Sequence, residues 1–166
     1  MRSWKAVGFT ALMLCVAVPR AWGQGGQVTE KKTITLEGAK AVAAAAASEA
    51  LRNNEGGSIA VVDDGGNLVY VERLEPTFAA SAEIAIHKAR TAALFQRPSK
   101  VLEDAITSGR TSLLKVAEAP LQGGEPIRVN GVIVGAIGVS GAASAARDQA
   151  IALVGAGALV TVTGSR

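Results

Sequence analysis

The sequence predicts an α+β domain, in which helices pack on an antiparallel sheet. Two pairs of short apolar segments are each interrupted by a turn, around Gly65-Gly66 in the first pair and Gly131 in the second, and such pairs are typical of β-hairpins. Segments with the helical spacing of apolar residues precede and follow each hairpin. The order helix, hairpin, helix, minor helix, hairpin, helix therefore predicts a layered α+β domain.

Local signals set the boundaries of the predicted elements. Thr35 is placed to cap the first helix, and Pro98 stops the second. Ser99 is expected to cap a short third helix, and Ser140 or Ser144 to cap the last one. Helices are predicted over 36–53, 78–96, 100–108 and 144–156, and strands over 58–63, 67–73, 127–129 and 132–140, with a short final strand over 159–163. The segment 111–119 fits either a helix or a loop.

The first residues of the chain have the pattern of a secretory signal peptide. A basic start at Arg2 and Lys5 precedes the apolar stretch 6–18, which is shorter than a membrane span needs. Small residues before position 24 mark a cleavage point; the alternative is an uncleaved anchor. The predicted organisation is a signal peptide over 1–23, a flexible tail over 24–32 and a single domain over 33–163, in the periplasm or outside the cell.

Removal of the leader limits the chemistry that the chain can perform. The chain has 17 basic and 14 acidic residues, and Arg2, Lys5 and Arg20 lie in the leader, so the remainder is neutral. This balance does not indicate nucleic acid or an anionic membrane as a partner. Cys15 is the single cysteine, and its loss excludes a disulfide or a thiolate nucleophile. One histidine excludes a zinc site with several histidines in one chain.

The predicted second helix is apolar on two sides, which is typical of a helix buried on both. One side holds small residues that suit close packing on a sheet: Ala82, Ala85, Ile86, Ala89 and Ala93. The nearly opposite side holds Ile84, His87, Thr91, Leu94 and Phe95. In a domain of this size, the second side requires a partner subunit or a ligand to cover it.

The motifs, taken in order, resemble one family. They comprise the hairpin 61–69, Arg73, Ser81, the helical segment 88–92, the Gly-rich segments 123–127 and 131–141, Asp148, and Gly155 or Gly157. Together they resemble the GlcG/HbpS-like haem-binding family, which includes the C-terminal domain of PduO-type proteins. The resemblance implies a profilin-like domain with a five-stranded antiparallel sheet and flanking helices, and it implies homo-oligomers. Some relatives bind haem, and extracellular ones are linked to haem or iron sensing and haem breakdown.

If haem is the cofactor, the candidate metal ligand is His87, because imidazole is a common axial ligand of haem iron. The alternative is an interface or surface histidine. Thr91, Lys88 and Arg73 are further candidates for cofactor contacts, and Tyr70 could ligate iron through its phenolate. Their alternatives are a bond to the backbone of its own helix for Thr91, a salt bridge for Lys88 and inward packing for Tyr70.

Three hypotheses follow for function, and the sequence leaves open whether the protein is an enzyme. The first is a secreted haem-binding protein that acts in haem degradation, storage or haem and iron sensing. The second is an enzyme or binding protein for a small organic acid, using Glu125, Arg73, Lys88 and His87. The third is a structural oligomer. The glycine spacing at 135, 138 and 141 does not match the dinucleotide fingerprint, and no nucleic-acid motif is present.

Overall fold

The computed structural model describes residues 29–161, so the predicted leader and most of the predicted tail lie outside the described residues. Residues 31–161 belong to one compact unit. Its helices are α1 (Leu36–Arg52), α2 (Ser81–Phe95), α3 (Ser99–Thr107) and α4 (Ala145–Gly157), and its strands are β1 (Gly57–Asp63), β2 (Leu68–Leu74), β3 (Gly124–Val129) and β4 (Val132–Ser140). Two 3₁₀ helices follow α3 and α4, at Thr111–Lys115 and Ala158–Thr161.

The four strands form one antiparallel sheet in the order β2-β1-β4-β3. The two hairpins are β1–β2 and β3–β4, and the pairing of β1 with β4 joins them. Helix α2 packs on one face of this sheet, while α1 and α4 pack side by side on the other. The α+β class with an antiparallel sheet and flanking helices is therefore confirmed, and the domain has three layers.

The predicted fifth strand is wrong. Helix α4 continues to Gly157 and passes directly into the 3₁₀ helix Ala158–Thr161, so the start of the predicted segment 159–163 is helical and pairs with no strand. Residues 162 and 163 lie outside the described part of the chain. The apolar run from Leu159 fits a short strand, but it also fits the continued helical winding that α4 imposes on it.

Side-chain caps account for two helix starts. Thr35 Oγ1 accepts the Gly38 N–H of α1 at 3.1 Å, and Ser144 Oγ accepts the Arg147 N–H of α4 at 3.2 Å, which confirms Thr35 and chooses Ser144 over the alternative serine. The predicted cap at Ser99 is wrong. This residue is the first of α3, and its buried hydroxyl binds the backbone around Gly124 instead.

Helix α2 lies unusually close to the sheet because Gly138 of β4 has no side chain. A Cβ at Gly138 would collide with the Ala85 carbonyl and would lie 2.6 Å from the Ala89 nitrogen. Ala85 and Ala89 are themselves fully buried. The prediction that the small side of this helix packs on the sheet is confirmed, and Gly138 is the strand residue that permits the close approach.

Candidate functional site

The candidate site lies on the outer face of α2, which faces away from the sheet. The side chain of His87 is 41% exposed there, and its Nε2 lies 3.8 Å from Glu118 Oε2. Arg90, one helical turn later, places Nη1 3.6 Å from the same carboxylate oxygen. Both distances are too long for hydrogen bonds, so the contact is electrostatic. Among the described residues, His87 Nδ1 has no hydrogen-bond partner, which leaves one imidazole nitrogen free for a metal ion.

The second side of α2 is partly covered by the protein itself. Thr91 is buried, and its Oγ1 accepts the Ala119 N–H at 3.1 Å rather than bonding the backbone of its own helix. The chain that follows the 3₁₀ helix Thr111–Lys115 thus lies across this part of α2 and brings Glu118 to the site. Leu94, two helical turns from His87 on the same side, remains 55% exposed, so this end of the face keeps an exposed apolar side chain.

Lys88 lies on the flank of α2 and is committed to a buried ion pair. Its Nζ donates to Asp148 Oδ2 at 2.8 Å and to the Val139 carbonyl at 2.9 Å. The second oxygen of Asp148 accepts the Ala142 N–H at 2.9 Å. A Cβ at Gly123 would lie 3.0 Å from this Nζ, so the glycine leaves room for the ammonium group. The pair joins α2 to α4 across the sheet, and its geometry is that of a structural contact.

The two predicted site residues of β2 lie on opposite faces of the sheet. Tyr70 is paired with Val61, whose side chain belongs to the core beneath α1. Its hydroxyl donates to Glu72 at 3.0 Å, and this hydrogen bond together with the negative charge raises the pKa of Tyr70. Arg73 is paired with Ser58 on the α2 side and is exposed. Arg73 therefore shares the sheet face of the candidate site, and Tyr70 does not.

Glu125 is separated from the other members of the predicted organic-acid site. It is paired with Ile137 and lies buried on the α4 side, where its Oε1 accepts the Gln149 side-chain amide at 2.7 Å. Burial raises the pKa of Glu125 above its usual value, and the hydrogen bond from Gln149 opposes this increase. Since the sheet separates Glu125 from His87, the structure does not bring the four proposed acid-base and carboxylate-binding residues together.

A groove lies on the α1 side of the sheet. It encloses about 770 Å³ between the segment that precedes α1, the turn between β3 and β4, and Leu159. Its apolar lining is Ile34, Ala41, Val129, Val134 and Leu159, and its rim includes Lys31, Lys32 and Glu37. The lining residues include no histidine, tyrosine, cysteine or methionine, so they offer no common axial ligand for haem iron.

The described residues set two further limits on the site. Within 29–161, no three His, Cys, Asp or Glu side chains are grouped to hold a metal ion, so protein ligation of iron would depend on few side chains. None of the helices in the same range is long and apolar enough to cross a membrane. The imidazole is half-exposed, and an arginine and an exposed apolar side chain lie on the same side of the helix. This arrangement fits a cofactor such as haem, which holds its metal ion in its own ring.

Sequence reasoning missed the contribution of Glu118. This residue lies in the segment 111–119, which fits either a helix or a loop, and it approaches His87 beside the hydrogen bond that joins Ala119 to Thr91. Neither sequence spacing nor a motif links positions 87 and 118. The hydrogen-bonding capacity of Thr91 was the single available signal, and its partner could not be identified without the fold.

Comparison with known proteins places the chain in a family. A family model described as haem degrading protein, HbpS-like, matches residues 34–157. Protein GlcG of Escherichia coli K12 is 41% identical over 111 residues, which are 66% of this chain and 83% of GlcG. The structure of a double mutant of HbpS from Streptomyces reticuli is 29% identical with a TM-score of 0.74, and the match covers 97% of this chain and all of that one.

A fold-level match extends to a haem complex. The structure of the PduOC–haem complex has a TM-score of 0.67 and 23% identity, with 76% of this chain and 94% of that chain covered, and at this identity it shows a shared fold alone. The family model carries the assignment, because its match includes both hairpins and α2, and the 41% identity with GlcG over 83% of that protein supports it. The chain belongs to the HbpS-like family.

Proposed function

We propose that the protein binds haem on the outer face of α2, with His87 as an axial ligand of the iron. The observation that carries the proposal is the state of this imidazole, which is the single histidine of the chain and is 41% exposed. Its Nδ1 has no hydrogen-bond partner among residues 29–161. Membership of a family described as haem degrading supports haem as the cofactor. A bound haem would supply the iron centre at which oxygen chemistry or iron sensing takes place.

The residues around His87 suit the two parts of haem, which are the charged propionates and the apolar macrocycle. Arg90 is a cation within one helical turn of the imidazole, and Arg73 is exposed on the same side of the sheet. Guanidinium groups recognise carboxylates through paired donors, so these residues are the candidates to hold the propionates. Leu94, two turns from His87, offers an apolar contact for the macrocycle.

Glu118 is suited to position His87, the proposed iron ligand, rather than to bind iron itself. Its carboxylate is 3.8 Å from His87 Nε2 and would accept a hydrogen bond from an N–H at that nitrogen if the two groups moved closer. A carboxylate at the second nitrogen fixes the tautomer of a metal-bound imidazole and increases its basicity. The chain would then present Nδ1 to the iron. With one histidine in the sequence, His87 would be the single imidazole that each chain could offer to the iron of a bound haem.

The proposed role is that of an exported haem-binding protein in haem breakdown, storage or sensing. Export rests on the leader-like pattern of residues 1–23, and it places the protein in the periplasm or outside the cell. The domain from residue 31 onward has its own hydrophobic core in the described structure, as an exported domain without a disulfide requires.

Hemin titration of the exported protein tests the site. Mass spectrometry of the same protein identifies its N-terminus and so tests the predicted leader. The native protein is expected to give a saturable Soret band at one haem per chain or per dimer, and His87→Ala to weaken binding about tenfold or more. Ala41→Phe fills the groove on the other sheet face and is the matched control, expected to bind like the native protein. Loss of binding in Ala41→Phe with retention in His87→Ala would place haem in the groove, and no binding by the native protein would remove the haem assignment.

A further inference from the structure

The groove on the α1 side of the sheet lies where one hairpin extends beyond its neighbour. Strand β1 ends at Asp63, which is paired with Gly135 of β4. Beyond this pair, the Ile34 N–H donates to the Val134 carbonyl at 2.8 Å, so the segment before α1 continues the contact with β4. The β3–β4 hairpin extends further, to its turn at Asn130, and the groove lies between this turn and the start of α1.

Apolar side chains form much of the lining of the groove. Ile34 and Val134 are buried, and Val129 and Leu159 are half-buried. The hydrogen bond between Ile34 and Val134 already uses one backbone group of each residue. The volume of about 770 Å³ is within the range of about 300–1,000 Å³ that is usual for small-molecule sites, which are mostly apolar. The lining therefore favours a ligand with an apolar part.

The charges on the rim of the groove leave one cation without a partner. Lys31 pairs with Asp64, and this contact lowers the pKa of Asp64. Glu37 is in the first turn of α1, where the positive end of the helix stabilises its charge. Lys32 is exposed, and within residues 29–161 it has no ion-pair or hydrogen-bond partner. The rim therefore offers an unpaired ammonium group beside an apolar groove.

We propose that the groove binds a carboxylic acid with an apolar chain, such as a medium-chain fatty acid. The chain lies along the apolar lining, where its burial supplies most of the binding free energy. The carboxylate lies beside Lys32, because an exposed ammonium group attracts it without removing either charge from water. A ligand with the same chain and a positive head group meets repulsion from that lysine instead.

This site is separate from the proposed haem site. The groove is on the sheet face opposite α2, the helix that carries His87, and its lining contains no histidine. Its residues are also different from Glu125, Arg73 and Lys88, which the organic-acid hypothesis combined with His87. Binding of the acid therefore does not depend on haem.

Isothermal titration calorimetry of the exported protein with decanoate, below its micelle-forming concentration, tests the proposal. The native protein is expected to bind about one decanoate per chain, with a dissociation constant below about 1 mM. Octanoate is expected to bind about tenfold more weakly, because it buries two fewer CH₂ groups, each worth about fourfold in affinity. Decyltrimethylammonium has a chain of the same length and the opposite charge, and it is expected to bind at least about fivefold more weakly than decanoate.

Two pairs of variants locate the ligand. Ala41 is exposed and lines the groove, so Ala41→Phe is expected to weaken decanoate binding at least about tenfold. Ala44→Phe is its matched control, because Ala44 is exposed on the same helix outside the lining. Lys32→Gln is expected to weaken decanoate binding about fivefold without weakening that of decyltrimethylammonium. Lys40→Gln, also exposed outside the lining, is the control for charge and should bind decanoate like the native protein.

Three results would overturn the proposal. They are a native protein that shows no saturable decanoate binding, an Ala41→Phe variant that binds decanoate no more weakly than Ala44→Phe, and a native protein that binds decyltrimethylammonium as well as decanoate. Circular dichroism establishes that the variants are folded. If Ala41→Phe fails to fold, Lys32→Gln decides, since its side chain is exposed and unpaired in the described structure. Equal decanoate binding by Lys32→Gln and Lys40→Gln would then reject the site.

Discussion

Breaking the buried ion pair between Lys88 and Asp148 gives the sharpest test of the structure. Lys88→Met keeps most of the aliphatic volume but removes the ammonium group, which donates to Asp148 at 2.8 Å and to Val139 at 2.9 Å. The two side chains are only 4% and 8% exposed, so the carboxylate that remains loses its countercharge in a site with little water. Removal of one partner from such a pair costs about 3–5 kcal/mol. That is a large part of the about 5–15 kcal/mol that stabilises a typical domain.

Equilibrium denaturation in urea measures this loss, and the chain provides a matched control. Lys100 and Asp104 form a pair at 2.6 Å in which both side chains are well exposed, so Lys100→Met is expected to change the free energy of unfolding by no more than about 0.5 kcal/mol. A loss below about 1 kcal/mol in Lys88→Met would show that the pair is not desolvated and would refute the reasoning. In a double-mutant cycle with Asp148→Asn, the loss of stability in the double variant should be well below the sum of the losses in the two single variants.

Two further predictions concern the strands. Gly138→Val would drive a side chain into the backbone of α2 at Ala85, and we expect it to lower the free energy of unfolding by at least about 1–3 kcal/mol. Gly157→Val is the control, because a Cβ at Gly157 meets no neighbouring atom and the residue does not have a positive φ. Glu125 has its pKa raised by burial, so the folded state holds its proton to a higher pH than the unfolded state, and native stability should fall as pH rises from about 4.3 through the folded pKa. Glu125→Gln should abolish that dependence and be the more stable protein at pH 7 in urea denaturation; an unchanged pH profile would contradict this.

Local signals in the sequence predicted most of the fold. The turn at Asp63–Asn67 and the cap at Thr35 act over a few residues, so both hairpins and the start of α1 follow from neighbouring positions alone. Strand β3 begins at Gly124, three residues before the predicted start at 127, and it includes Pro126. On an edge strand a proline is tolerated, since one side of the strand has no partner.

The site was less predictable, because its contacts join distant parts of the chain. The spacing of α2 identified the outward position of His87, but not the 60-residue separation that pairs Lys88 with Asp148. The same limit applies to Glu125, whose burial on the α4 side depends on strand register. A one-residue change of register would have moved it to the face of α2. Strand pairing, which no local sequence pattern encodes, therefore decides which side chains share a face of the sheet.

The central claim is that His87 is the axial ligand of haem iron, and rescue of a His87→Gly variant by added imidazole tests it most directly. His87→Gly removes the proposed ligand from the outer face of α2, and added imidazole can occupy the space and bind iron in its place. We predict that the hemin-loaded variant has an altered Soret spectrum and that millimolar imidazole restores the native one, while Ala41→Gly on the opposite sheet face shows the native spectrum throughout. A His87→Gly complex with the native spectrum before imidazole is added would contradict the assignment of His87 as the axial ligand.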